Sequence, residues 1–136
     1  MRVYLDSSAL LKRAVVESDS SQLVETIDRY ESGGDLLASS TLAWIEVTRA
    51  LRARSHSAAA TAIRTADDAL SGVGEYAISA EVVSLARRLN PPVLRSLDAI
   101  HLASALLLDA DLVLAYDERL IAACRSNGIA CASPGR

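Results

Sequence analysis

The chain has no phenylalanine, and its aromatic content is one tryptophan and four tyrosines in 136 residues. A core without large rings must be filled by Leu, Val, Ile and Ala. Ala-rich helices packed closely on a small sheet suit that supply. Cysteine is nearly absent too: Cys124 and Cys131 are the only two. Two thiols without a matching His/Cys set make neither a zinc site nor a disulfide framework, which leaves packed or surface thiols in a reducing compartment. Long apolar runs are missing, and none approaches the roughly 20 residues needed to span a bilayer. Asp6 and Lys12-Arg13 interrupt the N-terminal apolar stretch, so it does not read as a signal peptide. The expected setting is the cytoplasm, with no membrane partner. Positive charge is also in short supply. A formal net charge of −3 gives no whole-molecule field to draw in nucleic acid and argues against a sequence-reading DNA-binding module. A nucleic-acid role therefore requires a local basic patch, a bound cation, or both.

What remains is a chain that is 51% hydrophobic, ample for one core at this length. No repeat, low-complexity tract or linker divides it. The reading is one domain over 1–132 and a frayed tail over 133–136. Short apolar runs alternate with helical patterns. Strands are expected at Arg2 to Leu5, Leu36 to Ala38, Tyr76 to Ile78, Leu112 to Leu114 and Ile129 to Cys131. Helices are expected through Leu10 and Ala14, over 20–30 ending at Gly33-Gly34, and from a Ser40 or Thr41 cap to about Arg54. Further helices are expected over 57–70, from a Ser79 cap to Leu89, from a Ser96 cap to Leu108, and over 118–125. Asn90-Pro91-Pro92 breaks the chain. The pattern predicts an α/β domain with a parallel sheet wrapped by helices on both faces.

Four carboxylates stand where packing alone does not require them. In parallel sheets, ligands bind beyond the carboxyl ends of the strands. Asp6 follows the first strand there, and Asp117 holds the same position after Leu112-Val113-Leu114-Ala115-Tyr116. Glu46 sits on or beside an apolar helix stripe with Leu42, Ala43 and Ala50. Burial without a partner would cost it several kcal/mol, roughly, and an i,i+3 contact with Arg49 is one way to satisfy it. Asp98 lies in the first turn of the most apolar helix. An acid there also favours the helix dipole by about 0.3–1 kcal/mol.

Together the four acids point to a divalent cation, because crowded carboxylates raise one another's pKa unless one neutralises them. Mg²⁺ is the expected ion and Mn²⁺ a substitute, since both prefer oxygen ligands. Such an ion supplies an activated water and a clamp on a phosphodiester oxygen. Ser7 and Ser8 read as hydroxyls that cap the following helix or hydrogen-bond a carboxylate. A Ser8–His101–Asp98 hydrolase lacks the glycine pattern of a nucleophile elbow. His101 reads as a helix-face histidine. Asp67-Asp68, Asp109 and Asp111 read as solvated. Arg49, Arg52, Arg54 and His56 form either a solvated face or a phosphate-contacting arm, and Arg95 is a further phosphate candidate.

The stretches VYLDSSALLKR, SSTLAWIEVTRAL, LRSLDAIHLASAL and LVLAYDERL resemble the four acidic motifs of PIN-domain ribonucleases. Their wording is closest to the VapC toxins of bacterial toxin–antitoxin pairs. The resemblance runs from Met1 to about Ile129, and LDAIHLA is its most specific piece. It implies a three-layer α/β/α sandwich with a short, mainly parallel sheet. It implies an acidic site of Asp6, Glu46, Asp98 and Asp117, with Asp6 and Asp98 as principal Mg²⁺ contacts and Ser8 as a supporting hydroxyl. It also implies endonucleolytic cleavage of RNA, a VapB-like antitoxin that covers the site, and a homodimer. The sequence departs from the pattern at Ala115, where a Thr often stands two residues before the last acid. Two other readings stay open: an inactive PIN-like binding protein, and a phosphate enzyme that uses Asp6 as phospho-acceptor.

Overall fold

The computed structural model describes residues 1–56 and 58–136. Five short strands, β1 (Arg2–Leu5), β2 (Leu36–Ser40), β3 (Gly74–Tyr76), β4 (Leu112–Leu114) and β5 (Cys131–Ala132), form one sheet in the order β3-β2-β1-β4-β5. Every pairing is parallel. Parallel strands are covered on both faces, which is why the central ones read as unbroken apolar runs. Val3, Tyr4 and Leu5 are all fully buried.

Side-chain alternation along the strands divides the interior into two cores. Val3, Leu5, Leu37 and Leu114 pack with residues of α1 (Ser7–Ala14), α2 (Ser20–Ser32), α3 (Leu42–Ser55) and α4 (Ala59–Ala69). Tyr4, Val113 and Ala115 pack with Leu102 of α6 (Ser96–Leu107) and Leu120 of α7 (Glu118–Ser126). The short α5 (Ala80–Ala86) precedes α6 and packs against it. Helices therefore cover both faces of the sheet, as the alternating pattern predicts. After β1 the chain builds β2 and β3 on one side, then returns to place β4 on the other. That reversal puts a crevice at the carboxyl ends of β1 and β4, where such folds bind ligands. Asp6 N–H donates to the Leu114 carbonyl at 3.2 Å and carries the β1–β4 ladder up to that crevice.

Several local expectations shift. The helix cap before α3 is the Ser40 hydroxyl, which accepts from Leu42 N–H at 3.1 Å, while Thr41 makes no side-chain cap bond. Ser96 is the first residue of α6 and Arg95 its N-cap, so the capping role expected of Ser96 is not realised. Strand β3 starts two residues earlier than expected, at Gly74. Strand β5 pairs through Cys131 and Ala132, not from Ile129. The helix expected from Ser57 is described from Ala59, and Ser57 lies outside the described residues.

The last residues hydrogen-bond back to the body of the domain. Ser133 Oγ donates to the Ala115 carbonyl, Tyr116 Oη donates to Pro134 O at 2.7 Å, and Arg136 Nε donates to Asp19 Oδ2 at 3.0 Å. Arg136 also stacks a cation over the Tyr116 ring at 5.1 Å, and buried Lys12 does so at 4.5 Å. Among the described residues, no helix is long and apolar enough to cross a membrane.

Candidate metal centre

Asp6 leaves β1 in an extended conformation and caps α1, accepting from Ala9 N–H at 3.0 Å. Asp117 does the same for α7, accepting from Arg119 N–H at 2.9 Å and Leu120 N–H at 3.2 Å. Both strand-end acids therefore serve their helices. A cap does not have to be buried, however, and Asp117 is exposed. Asp6 is only 4% exposed, and burial pushes its carboxyl up to about 6 from the usual 3.8. The Ser8 hydroxyl and Ala9 N–H oppose that rise, and the Asp117 charge adds to it. Capping alone would not impose such a cost.

Ser8 answers the question its sequence position raises. Its hydroxyl donates to Asp6 at 2.6 Å (Oδ1) and 2.8 Å (Oδ2), and its oxygen accepts from Tyr116 N–H at 2.9 Å. One hydroxyl thus ties the first acid to the segment that presents the last. Ser7 donates to Glu46 Oε1 at 2.5 Å. Both serines hydrogen-bond carboxylates, and the cap of α1 is Asp6 itself.

Asp98 is partly buried in the first turn of α6. Burial raises its carboxyl above the usual carboxylate range, and the charges of Asp117 and Glu46 raise it further. Glu46, on α3, falls below that range. Burial works against this, but hydrogen bonds from His101 and Ser7 outweigh it. These mutual influences place Asp6, Glu46, Asp98 and Asp117 in one electrostatic field at the sheet's carboxyl edge. Among the described residues, no three His, Cys, Asp or Glu side chains converge as a ready-made metal site.

Glu46 does not use Arg49 as its partner. It is held by His101, whose Nε2 lies 2.6 Å from Glu46 Oε1. His101 is 3% exposed, so the expectation of a helix-face histidine is corrected. Its Nδ1 lies 2.6 Å from the Tyr4 hydroxyl, which also accepts from Ser40 N–H at 3.1 Å. Sequence reasoning missed this chain of contacts. A signal on the helix was that His101 sits three residues after Asp98, among apolar residues.

The arginines lie outside these contacts. Arg49, Arg52 and His56 line an exposed cavity of about 370 Å³ at the end of α3. Arg95 and Arg119 line another of about 460 Å³ with Pro91, Val93, Leu94 and Ala122. The Arg119 charge lowers the Asp98 pKa slightly, and its main-chain N–H donates to Asp117. Ala115 is fully buried in the cluster with Tyr4, Leu102 and Leu120, and no hydroxyl stands at that position.

Comparison with known proteins fits this geometry. The PIN domain family model matches residues 3–126. Ribonuclease VapC47 of Mycobacterium tuberculosis is 36% identical over 135 residues, covering 98% of this chain and 97% of the relative. Ribonuclease VapC46 of the same organism is 39% identical over 134 residues, covering 97% of each. Among solved structures, VapBC2 from Rickettsia felis, bound to a DNA fragment from its promoter, superposes with a TM-score of 0.77 at 12% identity. That match covers 98% of this chain and 99% of the other. M. tuberculosis VapC20, a sarcin–ricin loop cleaving toxin, gives 0.71 at 16% identity, covering 97% and 99%. The two structures share the sandwich and its sheet, and the two relatives extend the likeness through the whole sequence. The chain belongs to the PIN-domain family, among the VapC ribonucleases.

Proposed function

We propose that this chain is a metal-dependent endoribonuclease, the toxin of a toxin–antitoxin pair, with Asp6, Glu46, Asp98 and Asp117 as its acidic site. The observation that carries the reading is the mutual electrostatic influence of four carboxylates, from the N-caps of α1 and α7 and from α3 and α6, in a chain of this family. PIN-domain ribonucleases generally need a divalent metal ion. The residues here fit one: the donors are all oxygens, and the buried Asp6 charge lacks a full counterion. Mg²⁺ is the proposed ion, with Mn²⁺ as substitute. Mg²⁺ keeps several waters, which suits acids that do not converge as a ready-made metal site.

Asp6 and Asp98 are the proposed principal ligands, with Asp117 and Glu46 completing the site. When bound, the ion supplies an activated water and charge neutralisation at a phosphodiester. The protein's own part is positioning. Ser8 fixes both oxygens of Asp6 against the Tyr116 main chain, and the α7 amides fix Asp117 Oδ1. The remaining Asp117 oxygen is left without a protein partner among the described residues. Arg95, Arg49 and Arg52, together with Arg119, are proposed phosphate contacts that bring RNA to an acidic protein. The proposed partners are an RNA substrate, a VapB-like antitoxin and a second copy of the chain.

The test is RNA cleavage by purified protein with Mg²⁺ or Mn²⁺, beside Asp6→Asn and Asp98→Asn. Defined cuts that need metal and vanish in both variants are expected. Equal cutting by wild type and variants would remove the acids from the mechanism.

A further inference from the structure

The contacts of Glu46 have a direction. A main-chain N–H can only donate, so the Tyr4 oxygen accepts from Ser40. An ionised Glu46 can only accept, so His101 Nε2 carries the hydrogen of the 2.6 Å contact to Oε1. A neutral ring protonated at Nε2 has a bare Nδ1, and that nitrogen lies 2.6 Å from the Tyr4 hydroxyl. That tautomer lets the phenol give its single hydrogen to Nδ1. Burial pushes the Tyr4 phenol well above its usual pKa, so that hydrogen stays in place. Tyr4 is fully buried and meets the His101 ring edge-on, at 71° and 5.9 Å between centroids, so the imidazole cannot turn freely.

The outcome at Glu46 is asymmetric. Oε1 takes hydrogen bonds from both His101 and Ser7. Oε2 has no protein partner among the described residues, and the side chain remains 26% exposed. We propose that His101, locked by Tyr4 in the Nε2–H tautomer, is a positioning residue that holds Oε1 of Glu46 and leaves Oε2 as the single oxygen offered to a hydrated divalent cation. The proposal rests on the metal-dependent nuclease reading, and it assigns to Tyr4 and His101 a role that neither a metal ligand nor a packing residue has. With both donors in place, the lone pairs of Oε1 are taken and Oε2 is the oxygen left free.

The test begins with metal-free wild-type protein. Long-range ¹H–¹⁵N correlation spectra report which ring nitrogen of each of the two histidines carries hydrogen. His101 should show hydrogen on Nε2 only, and a hydrogen on Nδ1 would overturn the proposal. The second measurement is Mn²⁺ titration followed by electron paramagnetic resonance. A Gln at this position can place an amide N–H near the site of Nε2, whereas Asn cannot reach Glu46. His101→Asn should weaken Mn²⁺ binding about 10-fold, and His101→Gln should recover most of that loss. Equal weakening by both would reduce His101 to packing and overturn the proposal. Tyr4→Phe should fall between them. RNA cleavage enters neither readout. If wild type binds no Mn²⁺, the use proposed for the clamp falls with the nuclease reading, whereas normal Mn²⁺ behaviour without RNA cleavage refutes only the latter.

Discussion

Asp6→Asn should make the metal-free protein more stable near neutral pH, although the same change is expected to abolish its activity. Asp6 is 4% exposed, and its folded pKa is about 6 against 3.8 for an ordinary aspartate. That difference corresponds to about 3 kcal/mol of stability withheld when the folded state must hold the charge. The sign follows from proton binding. Between pH 3.8 and about 6 the folded chain holds a proton on Asp6 that the unfolded chain has released. Wild-type stability from this group therefore rises as pH falls through 6, and the gain is complete below 3.8.

Asparagine carries no charge at any of these pH values. Its oxygen can still accept from Ala9 N–H and the Ser8 hydroxyl. Its amide replaces Oδ2 beside a Ser8 oxygen that already accepts from Tyr116, so some geometry is lost, at about 1 kcal/mol. The expected net gain is about 2 kcal/mol at pH 7.5 in EDTA, shrinking to nothing or reversing by about pH 4.5. Urea unfolding of both proteins across that range measures it directly. Mn²⁺ should close the gap from the other side, because a ligand at 100 times its Kd stabilises wild type by about 2.7 kcal/mol. A variant less stable than wild type at pH 7.5, or a gap independent of pH, would mean that Ser8 and Ala9 already compensate the buried charge. The argument for a missing cation at Asp6 would then fail.

Other perturbations probe the surroundings. Ser8→Ala removes the donor to both Asp6 oxygens and the acceptor of Tyr116 N–H. It should cost about 2–3 kcal/mol in urea unfolding, and Ser7→Ala less, because Glu46 is still 26% exposed to water. Lys12→Met leaves Asp19, 5% exposed, with Arg136 as its only cationic partner among the described residues. A loss of about 3 kcal/mol is expected in the same assay, and an unchanged midpoint would show that the buried pair is replaceable. In an Asp6→Asn background, Arg95→Ala and Arg119→Ala should each weaken RNA binding alike across sequences and lower the salt slope by about 1. Fluorescence anisotropy between 50 and 200 mM salt, roughly, reads both, and the same series on Arg49→Ala and Arg52→Ala tests the α3 arm.

How far the sequence could be read depended on the range of the interactions. The layers were legible because a parallel strand buried on both faces must be an apolar run, and Val3-Tyr4-Leu5 and Leu112-Val113-Leu114 are such runs. Asp6 and Asp117 were legible because each follows such a run at the carboxyl side. Boundaries were less so. Thr41 and Ser40 offer the same hydroxyl, and only the backbone geometry at the end of β2 decides which oxygen reaches Leu42 N–H. Ser96 is a good cap by type, yet the chain leaving the Pro91-Pro92 turn enters the helix one residue sooner, at Arg95. The contacts of the tail were not legible, because they are distant in sequence: Arg136 reaches Asp19 across 117 positions.

The same reasoning explains why His101 escaped notice while Asp98 did not. An acid in a first helical turn is conspicuous from its neighbours alone. A histidine within an apolar helix looks like a surface residue or a satisfied core residue until its partners are known, and they come from 97 residues away at Tyr4 and 55 away at Glu46. The sequence did hold one clue, in the strand. Tyr4 points to the face opposite Val3 and Leu5, and a buried tyrosine needs a partner for its hydroxyl. Had the phenol in β1 been treated as an obligation, the buried polar side chain facing it from the most apolar helix would have been the first to search for. A buried tyrosine in a central strand and a lone histidine on an apolar helix are best read as one feature, because each supplies what the other lacks.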